Sequence, residues 1–426
     1  MLQINTIREQ KDKIAQSLKK RGFGDDINDT LNKLIQLDDD RKATQTELDE
    51  NLSKINKASK EIGNLFKSGK AAEANEMKNE VAALKNNAEP LDDKLKSILS
   101  QIEDILLTIP NVPNDLVPFG NSDEDNEVVK DWEGNLPELY EGAIPHWELA
   151  ETYNIFDLKL GVKITGAGFP VFRGKGAVLQ RSLINYFLEQ ARNEGYEEII
   201  PPLLVNEDSG YGTGSLPDKE GQMYYVEKDN LYIIPTAEVP VTNIVRGEIL
   251  SEADFPIKFC AHTPCFRREA GSYGSDVKGL NRVHQFDKVE IVQIEHPDNS
   301  YATLDSMVKY VEHLLNELEL PYRILRLCGG DLSFSSAMTY DFEVYSAAQK
   351  KWLEVSSVSN FESFQANRMK CRYKDENGKT QLVHTLNGSA LALARIVAAI
   401  LENNQTPEGI VIPKVLRKFT GFDIIN

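Results

Sequence analysis

The feature that most constrains this fold is a pair of matched apolar repeats near the N-terminus. Positions 31, 34, 38, 41, 45, 48, 52, 55, 59, 62 and 66 follow alternating steps of three and four. They carry Leu31, Leu34, Leu48, Leu52, Ile55, Ile62 and Phe66, with polar residues at 38, 41, 45 and 59. After a break at KSGK the spacing resumes through Ala74, Met77, Val81, Leu84, Ala88, Leu91, Leu95, Ile98, Ile102 and Ile105. An apolar stripe at this spacing is buried by a second helix, so two of them joined by a short glycine-containing turn predict an antiparallel coiled-coil hairpin. At 1.5 Å per residue it is about 50 Å long. Pro90 lacks the amide hydrogen a helix interior needs and predicts a local bend. A shorter amphipathic segment (Ile4, Ile7, Ile14, Leu18) comes first; Gly22 and Gly24 end it, and Asp29 is the expected cap of the next helix.

A chain of 426 residues exceeds what one hydrophobic core organises, and two domains are expected, at 1–110 and 111–426. Charge supports the division. Residues 1–110 hold 18 Lys+Arg against 20 Asp+Glu, whereas the remainder holds 30 against 46. The outer half of the hairpin, residues 54–88, is net basic: Lys54, Lys57, Lys60, Lys67, Lys70, Lys78 and Lys85 oppose four glutamates. That pattern suits a solvated rod, and equally a rod whose tip meets a phosphate backbone. Residues 110–150, rich in Pro, Asn and acids, read as a crossing segment, and a second domain starts near PHWELAE.

Several classes are disfavoured. No stretch approaches the roughly 20 apolar residues of a membrane span, and the N-terminus shows no apolar signal core, so a cytoplasmic location is expected. Cys260, Cys265, Cys328 and Cys371 form no CxxC pair and the six histidines do not cluster, so free thiols and no zinc are expected. GAGFPVFRGKG and SGYGTGSLP match neither the dinucleotide fingerprint nor the P-loop.

Six segments of the second domain carry the candidate chemistry or connect it. GKGAVLQRSLINYFLEQARNEGYEEIIPPLL reads as a helix ended by Gly195, then an edge strand through Pro201 and Pro202. TPCFRREAG reads as a strand whose period of two sets Arg267 and Glu269 on one face and Arg268 on the other. GSYGSDVKGLN is a loop, and RVHQFDKVEIVQI a return strand with His284, Phe286, Lys288 and Glu290 on one face. KWLEVSSVSN is a strand with an oxygen-rich edge at Glu354, Ser356 and Ser357, of the kind Mg²⁺ accepts beside phosphates. TLNGSALALARIVAAILEN reads as a turn, then a helix from about Ala390 to Leu401 whose only charge, Arg395, needs an anion, an aromatic ligand or an exit to solvent.

The ordered set GYEEIIPP, FRREAG with VHQFDKVE, and NGSALALAR resembles the three motifs of class II aminoacyl-tRNA synthetases. With the helical hairpin, PTAE and LEVSS, the chain resembles the bacterial-type seryl-tRNA synthetases over nearly its whole length. The resemblance implies an α+β fold: an antiparallel sheet flanked by helices, plus the N-terminal hairpin. It implies ATP-dependent ligation of L-serine to serine tRNA through a seryl-adenylate, and admits serylation of selenocysteine tRNA. By that resemblance Arg267 and Arg395 are the catalytic pair, and Pro202 lies in the homodimer motif. The nucleotide is expected against Arg267, Arg268, Glu269, Val283, Phe286, Glu354, Val355, Ser356, Ser357 and Arg395, with Mg²⁺ on Glu354 and Ser357. Serine is expected against Thr236, Ala237, Glu238, Arg267, Glu290, Asn387 and Ser389, and the tRNA's long variable arm against Lys54, Lys57, Lys60, Lys67 and Lys70. Arg268 stands where serine is common, and Ala390 where glycine is frequent. Read from the residues alone, three alternatives stay open: another class II synthetase, a ligase charging a carrier protein, and a scaffold with an inactive catalytic domain.

Overall fold

In the computed structural model, which describes residues 1–269 and 278–426, the chain begins with two short helices, α1 (Ile4–Glu9) and α2 (Lys11–Leu18). Two long ones follow, α3 (Ile27–Lys67) and α4 (Ala71–Leu106). Contacts divide the chain into two compact units, residues 1–19 with 23–110, and residues 20–22 with 111–426.

In the first unit α3 and α4 pack against each other along their length. With 41 residues, α3 is about 60 Å long. The seam departs from the repeat in one respect. Leu52 and Phe66, placed in it by the spacing, are 43% exposed. Thr44 is buried instead, and Ala58 and Leu65 are partly buried. From Asp38 the burial steps through 41, 44, 48, 51 and 55, so two successive steps of three set alternate seam positions one residue earlier, while 48, 55 and 62 stay in it. An extra step of three overwinds a coiled coil locally. Lys78 stands 4.6 Å from the centroid of the exposed Phe66 ring. α4 runs unbroken through Pro90. Asp29 is not the cap: α3 starts at Ile27, and Asp29 lies in its first turn, where its charge favours the helix dipole.

The second unit is built on an eight-stranded sheet. Its strands are β1 (Glu127–Lys130), β2 (Glu197–Glu198), β3 (Ile257–Phe266), β4 (Gln285–Glu295), β5 (Tyr322–Arg326), β6 (Met338–Ser346), β7 (Lys351–Asn360) and β8 (His384–Ala392). Their spatial order is β1-β5-β6-β7-β8-β4-β3-β2. Every pairing is antiparallel except β2 with β3. The main core lies between one sheet face and the helices, chiefly α6 (Gly174–Asn193), α7 (Ser300–Glu317) and α8 (Leu393–Asn403), with α5 (His146–Tyr153) beside them. Val289 and Ile291 of β4 enter that core, while Val292 and Ile294 join a smaller one with Ala237, Ala261 and Val383. The period of two therefore leaves Lys288 and Glu290 facing away from the helices, while Phe286 near the strand's start still packs against the main core. All four cysteines are free and buried.

Three local expectations are corrected. The helix read from Ala390 starts at Leu393, because TLNGSALA is strand β8, buried on both faces between β7 and β4. A continuous apolar run has no period to tell strand from helix. Strand β3 ends at Phe266, the first residue of FRREAG. The Arg267 N–H still donates to His284 O, but that of Arg268 goes to Gln222 O and Glu269 turns left-handed at φ +48°, so alternation does not reach Glu269. Finally, the strand through Pro201 and Pro202 is paired only at Glu197–Glu198, since prolines offer no ladder donors. The loop read at GSYGSDVKGLN lies largely outside the described residues.

Asp38 is the one acid in the coiled-coil seam of α3, and its side chain is 3% exposed. Burial alone would raise its carboxyl, but hydrogen bonds from Lys42 (2.7 Å), Arg41 (2.9 Å) and Arg8 of α1 (2.9 Å) hold it at about 2. A lowered carboxylate stabilises above its unfolded value near 3.8, and the contribution is lost as pH falls through the folded value. Asp38→Asn in the full chain should cost about 1–3 kcal/mol at pH 7. The deficit should shrink between pH 4 and 2, measured by calorimetry of the helical transition.

Candidate active site

On the sheet face opposite the helices, β3 and β4 pair without interruption from Ile257 to Phe266, which sets Phe286 beside Cys265, Lys288 beside Thr263 and Glu290 beside Ala261. β8 pairs with β4 on the other side, Ser389 opposite Glu290, but its register slips by one residue between Glu290 and Lys288. Such a bulge re-aims the residues beside it. Asn387 and Ser389, 8% and 7% exposed, thus reach the same recess.

The recess is a cluster of charges. Glu290, 2% exposed, accepts hydrogen bonds from Lys288 Nζ (2.5 Å) and Thr236 Oγ1 (3.1 Å). Glu238 accepts from Gln365 Nε2 at 2.7 Å, and Gln365 is held in turn by Thr213 O and the Thr385 hydroxyl. Burial, then repulsion from Glu290, pushes the Glu238 carboxyl up to about 7, against the pull of Gln365, Lys288 and Asn387. Burial also raises Glu290, opposed by Lys288, Thr236 and Arg267. Two carboxylates against one ammonium leave room for one more positive charge. A hydrogen-bond donor carrying that charge fits the recess.

Next to it, the Arg267 guanidinium stands 5.3 Å from the centroid of Phe286, and its Nε donates to Pro235 O at 3.4 Å. Arg268 lies 5.9 Å from the Tyr224 ring, and the Tyr224 hydroxyl meets His284 Nδ1 at 2.9 Å. Glu269 pairs with Arg282 at 3.1 Å. Arg395, at the start of α8 and 25% exposed, is carried by two carbonyls: Nε donates to Asn281 O (2.9 Å) and Nη1 to Glu354 O (2.6 Å), with Glu354 Oε2 at 3.5 Å. The apolar helix thus meets its one charge at the rim, where the group is hydrogen-bonded without being fully desolvated.

Glu354 and Ser357 are three residues apart, a spacing that would put them on opposite faces of a regular strand. β7 contains an extra residue here. Glu354 pairs with Glu343 and Ser356 with Phe342, leaving Val355 unpaired. Val355 is buried in the main core and Ser356 Oγ donates to Ser389 O at 2.6 Å, so both turn to the helix side and Ser357 returns to the face of Glu354. Asp341, opposite Ser357, shares that face. Burial and the Glu354 charge raise its carboxyl well above the usual range, the Ser357 hydroxyl opposing, and its Oδ1 has no hydrogen-bond partner. Two carboxylates and a hydroxyl with unused acceptor capacity are a donor set that fits a hard divalent cation.

Of the residues chosen from sequence, Thr236, Glu238, Glu290, Asn387 and Ser389 come together, as do Arg267 with Phe286 and Arg395 with Glu354. Ala237, Val283 and Val355 are packing residues whose side chains sit in the two cores. Lys54, Lys57, Lys60, Lys67 and Lys70 are exposed on the hairpin, Lys70 paired with Glu73 at 3.1 Å. Lys288, Asp341 and Gln365 were not chosen. Lys288 was legible from its alternation with Glu290, and Asp341 from its acid spacing in TYDFEVY; nothing local marked Gln365.

Residues 1–113 match the family model for the seryl-tRNA synthetase N-terminal domain, and residues 224–404 match that for the class II tRNA synthetase core domain of the G, H, P, S and T enzymes. The serine–tRNA ligase of Salinibacter ruber is 48% identical over 99% of this chain and 98% of its own. Among solved structures, seryl-tRNA synthetase from Pyrococcus horikoshii complexed with ATP superposes with a TM-score of 0.89 at 32% identity, covering 100% of this chain and 99% of that one. The cytoplasmic serine–tRNA ligase of Naegleria fowleri in complex with AMP gives 0.85 at 25% identity, over 100% and 99%. Both units therefore match one kind of protein, and the chain belongs to the seryl-tRNA synthetase family of class II aminoacyl-tRNA synthetases.

Proposed function

We propose that this chain ligates L-serine to serine tRNA through a seryl-adenylate, with serine held in the Glu238–Glu290–Lys288 recess and ATP across Arg267, Phe286 and Arg395. The observation that carries the assignment is the recess itself: Glu290, buried, and Glu238, half-buried, face one lysine, one cation short of balance, beside Arg267. The ammonium of serine supplies that cation. Its hydroxyl meets the polar groups of Thr236, Asn387 and Ser389, whose remaining hydrogen-bonding capacity alanine would leave unused.

The first step needs no protein nucleophile. The serine carboxylate attacks the α-phosphorus of ATP in line, and pyrophosphate leaves. Arg267 offers fixed positive charge where the transition state gains negative charge, and Arg395 and Phe286 hold the adenine from two sides. Glu269, Arg268 and the backbone around Val283 and Val355–Ser356 complete the nucleotide side. Glu354, Ser357 and Asp341 would hold Mg²⁺, which when bound neutralises phosphate charge. In the second step the 3′-terminal adenosine hydroxyl of tRNA attacks the adenylate carbonyl and AMP leaves.

On this reading residues 1–110 form the tRNA-binding domain and residues 111–426 the catalytic domain, close to the two compact units of the chain. The exposed lysines of the hairpin suit the sugar–phosphate backbone of a long variable arm. Ile200 is 90% exposed, with Leu203 and Leu204 at 37% and 43%, around the edge strand β2. An apolar edge of this kind suits a second copy of the chain, and the enzyme is a homodimer on this reading. Among the described residues no helix is long and apolar enough to cross a membrane, and a cytoplasmic location follows from the substrates.

Arg267→Ala should abolish serine-dependent ATP–pyrophosphate exchange while the sedimentation coefficient stays that of wild type; wild-type exchange would refute the assignment. Deleting residues 34–105 should leave adenylate formation largely intact and strongly weaken charging of tRNA. Charging at the full rate by that variant would show that the basic tip is not the contact. A raised carboxyl destabilises once it ionises, so the wild type should lose stability as pH rises from about 4.5 to 7. Glu238→Gln should remove that loss, gaining about 2 kcal/mol at pH 8 in urea melts while serine-dependent exchange disappears. In the wild type the serine KM should rise as pH falls through 7, because the proton and the substrate ammonium compete for the same carboxylate.

A further inference from the structure

The segment that re-enters β4 is tied down by a histidine that the proposed chemistry does not use. His146, the first residue of α5, has no exposed surface. Its Nε2 accepts the Leu280 N–H at 2.9 Å. Gly279 is left-handed at φ +65°, and a Cβ there would lie 2.1 Å from Nε2, so the backbone runs directly against the ring. An amide nitrogen only donates, so Nε2 holds the lone pair and the ring proton is on Nδ1. That proton faces Glu402 Oε1 of α8 at 2.6 Å.

Glu402 is equally buried, and four donors converge on it. They are His146 Nδ1, the His146 N–H (3.0 Å), Gln349 Nε2 (3.1 Å) and the Ser346 hydroxyl. Gln349 Oε1 in turn accepts from Asn281 Nδ2 at 2.8 Å. Two hydrogen-bond routes thus run from one carboxylate to adjacent residues, through His146 to Leu280 and through Gln349 to Asn281. The Asn281 carbonyl is one of the two that carry Arg395. A buried carboxylate is costly, and a well-packed apolar pair would hold the helices equally well. What the polar version adds is a fixed geometry.

We propose that His146 and Glu402 form a positioning dyad that fixes the Leu280–Asn281 backbone and, through the Asn281 carbonyl, the aim of the Arg395 guanidinium. The dyad touches no substrate. The inference rests on the reading that Arg395 meets the nucleotide, and the experiment keeps the two apart.

The test compares two replacements in the full-length chain. His146→Gln can present an oxygen near the Nε2 position, keeping an acceptor for the Leu280 N–H. His146→Asn reaches only the Nδ1 position and retains the Glu402 contact alone. Losing one oriented hydrogen bond should raise the KM for ATP about tenfold in the Asn variant, with the KM for serine and the kcat of pyrophosphate exchange within about twofold. Amide exchange in residues 278–284 should accelerate in that variant, with α5 and α8 unchanged. The Gln variant, which keeps the acceptor for Leu280 but not the Nδ1–H toward Glu402, should be less impaired than the Asn variant in both measurements. Equal defects in both variants with a common drop in melting temperature would overturn the inference, since that is what general packing damage gives. Arg395→Gln serves as the control. If it leaves the KM for ATP unchanged, the reading of Arg395 fails, and the dyad then stands or falls on exchange: unaltered protection of 278–284 in His146→Asn ends it.

Discussion

The central constraint is the double pairing of one strand. β4 is hydrogen-bonded along its length to β3 and on its other edge to β8, so its alternation cannot slip without turning Lys288 and Glu290 into the helix core. Val289 and Ile291 hold that register from beneath by filling the core against α6, α7 and α8. The apolar face specifies the polar one. A charge cluster that would not assemble unaided is held in place by side chains that never meet it.

Two irregularities convert this regular ladder into a site. A strand offers one face every second residue, which makes Glu354 and Ser357 incompatible neighbours until the extra residue in β7 sends Val355 and Ser356 together toward the helices. The slip between β4 and β8 does the same beside Ser389, opposite Glu290. Each bulge sits where a polar recess begins, and each is filled on the far side by buried groups that leave it little freedom to straighten.

The sequence conveyed the large elements and much of the chemistry. The heptad spacing disclosed the hairpin because its period is distinctive, and alternation through VHQFDKVE disclosed the floor of the recess. It was weaker where a period is lost. TLNGSALA and the helix after it form one apolar run, and only the sheet decides where Ala392 ends one element and Leu393 starts the next. The one-residue shift of alternate seam positions after Asp38 left Leu52 and Phe66 exposed, because an alternation of three and four fits either frame over a few turns. Gln365, Asn281 and Glu402 were invisible for another reason: each acts through partners tens of residues away, and no local pattern marks such a residue.

Selectivity follows from how the recess balances its charges. With Lys288 committed to Glu290, the second carboxylate, Glu238, is raised to about 7 and waits near its midpoint at neutral pH. On the proposed assignment a substrate ammonium draws it back to the charged form, so part of the binding energy of serine is spent on ionising its own site. Amino acids that place the ammonium equally well must be told apart by the side chain, and there the groups at hand are polar and buried: Thr236, Asn387 and Ser389, each under 10% exposed. Thr236 and Asn387 already bond to Glu290 and Glu238, so alanine would leave unused only their remaining capacity and the Ser389 hydroxyl, whereas threonine adds a methyl group that only space can refuse. The recess is therefore better built to reject what lacks a hydroxyl than what carries an extra carbon.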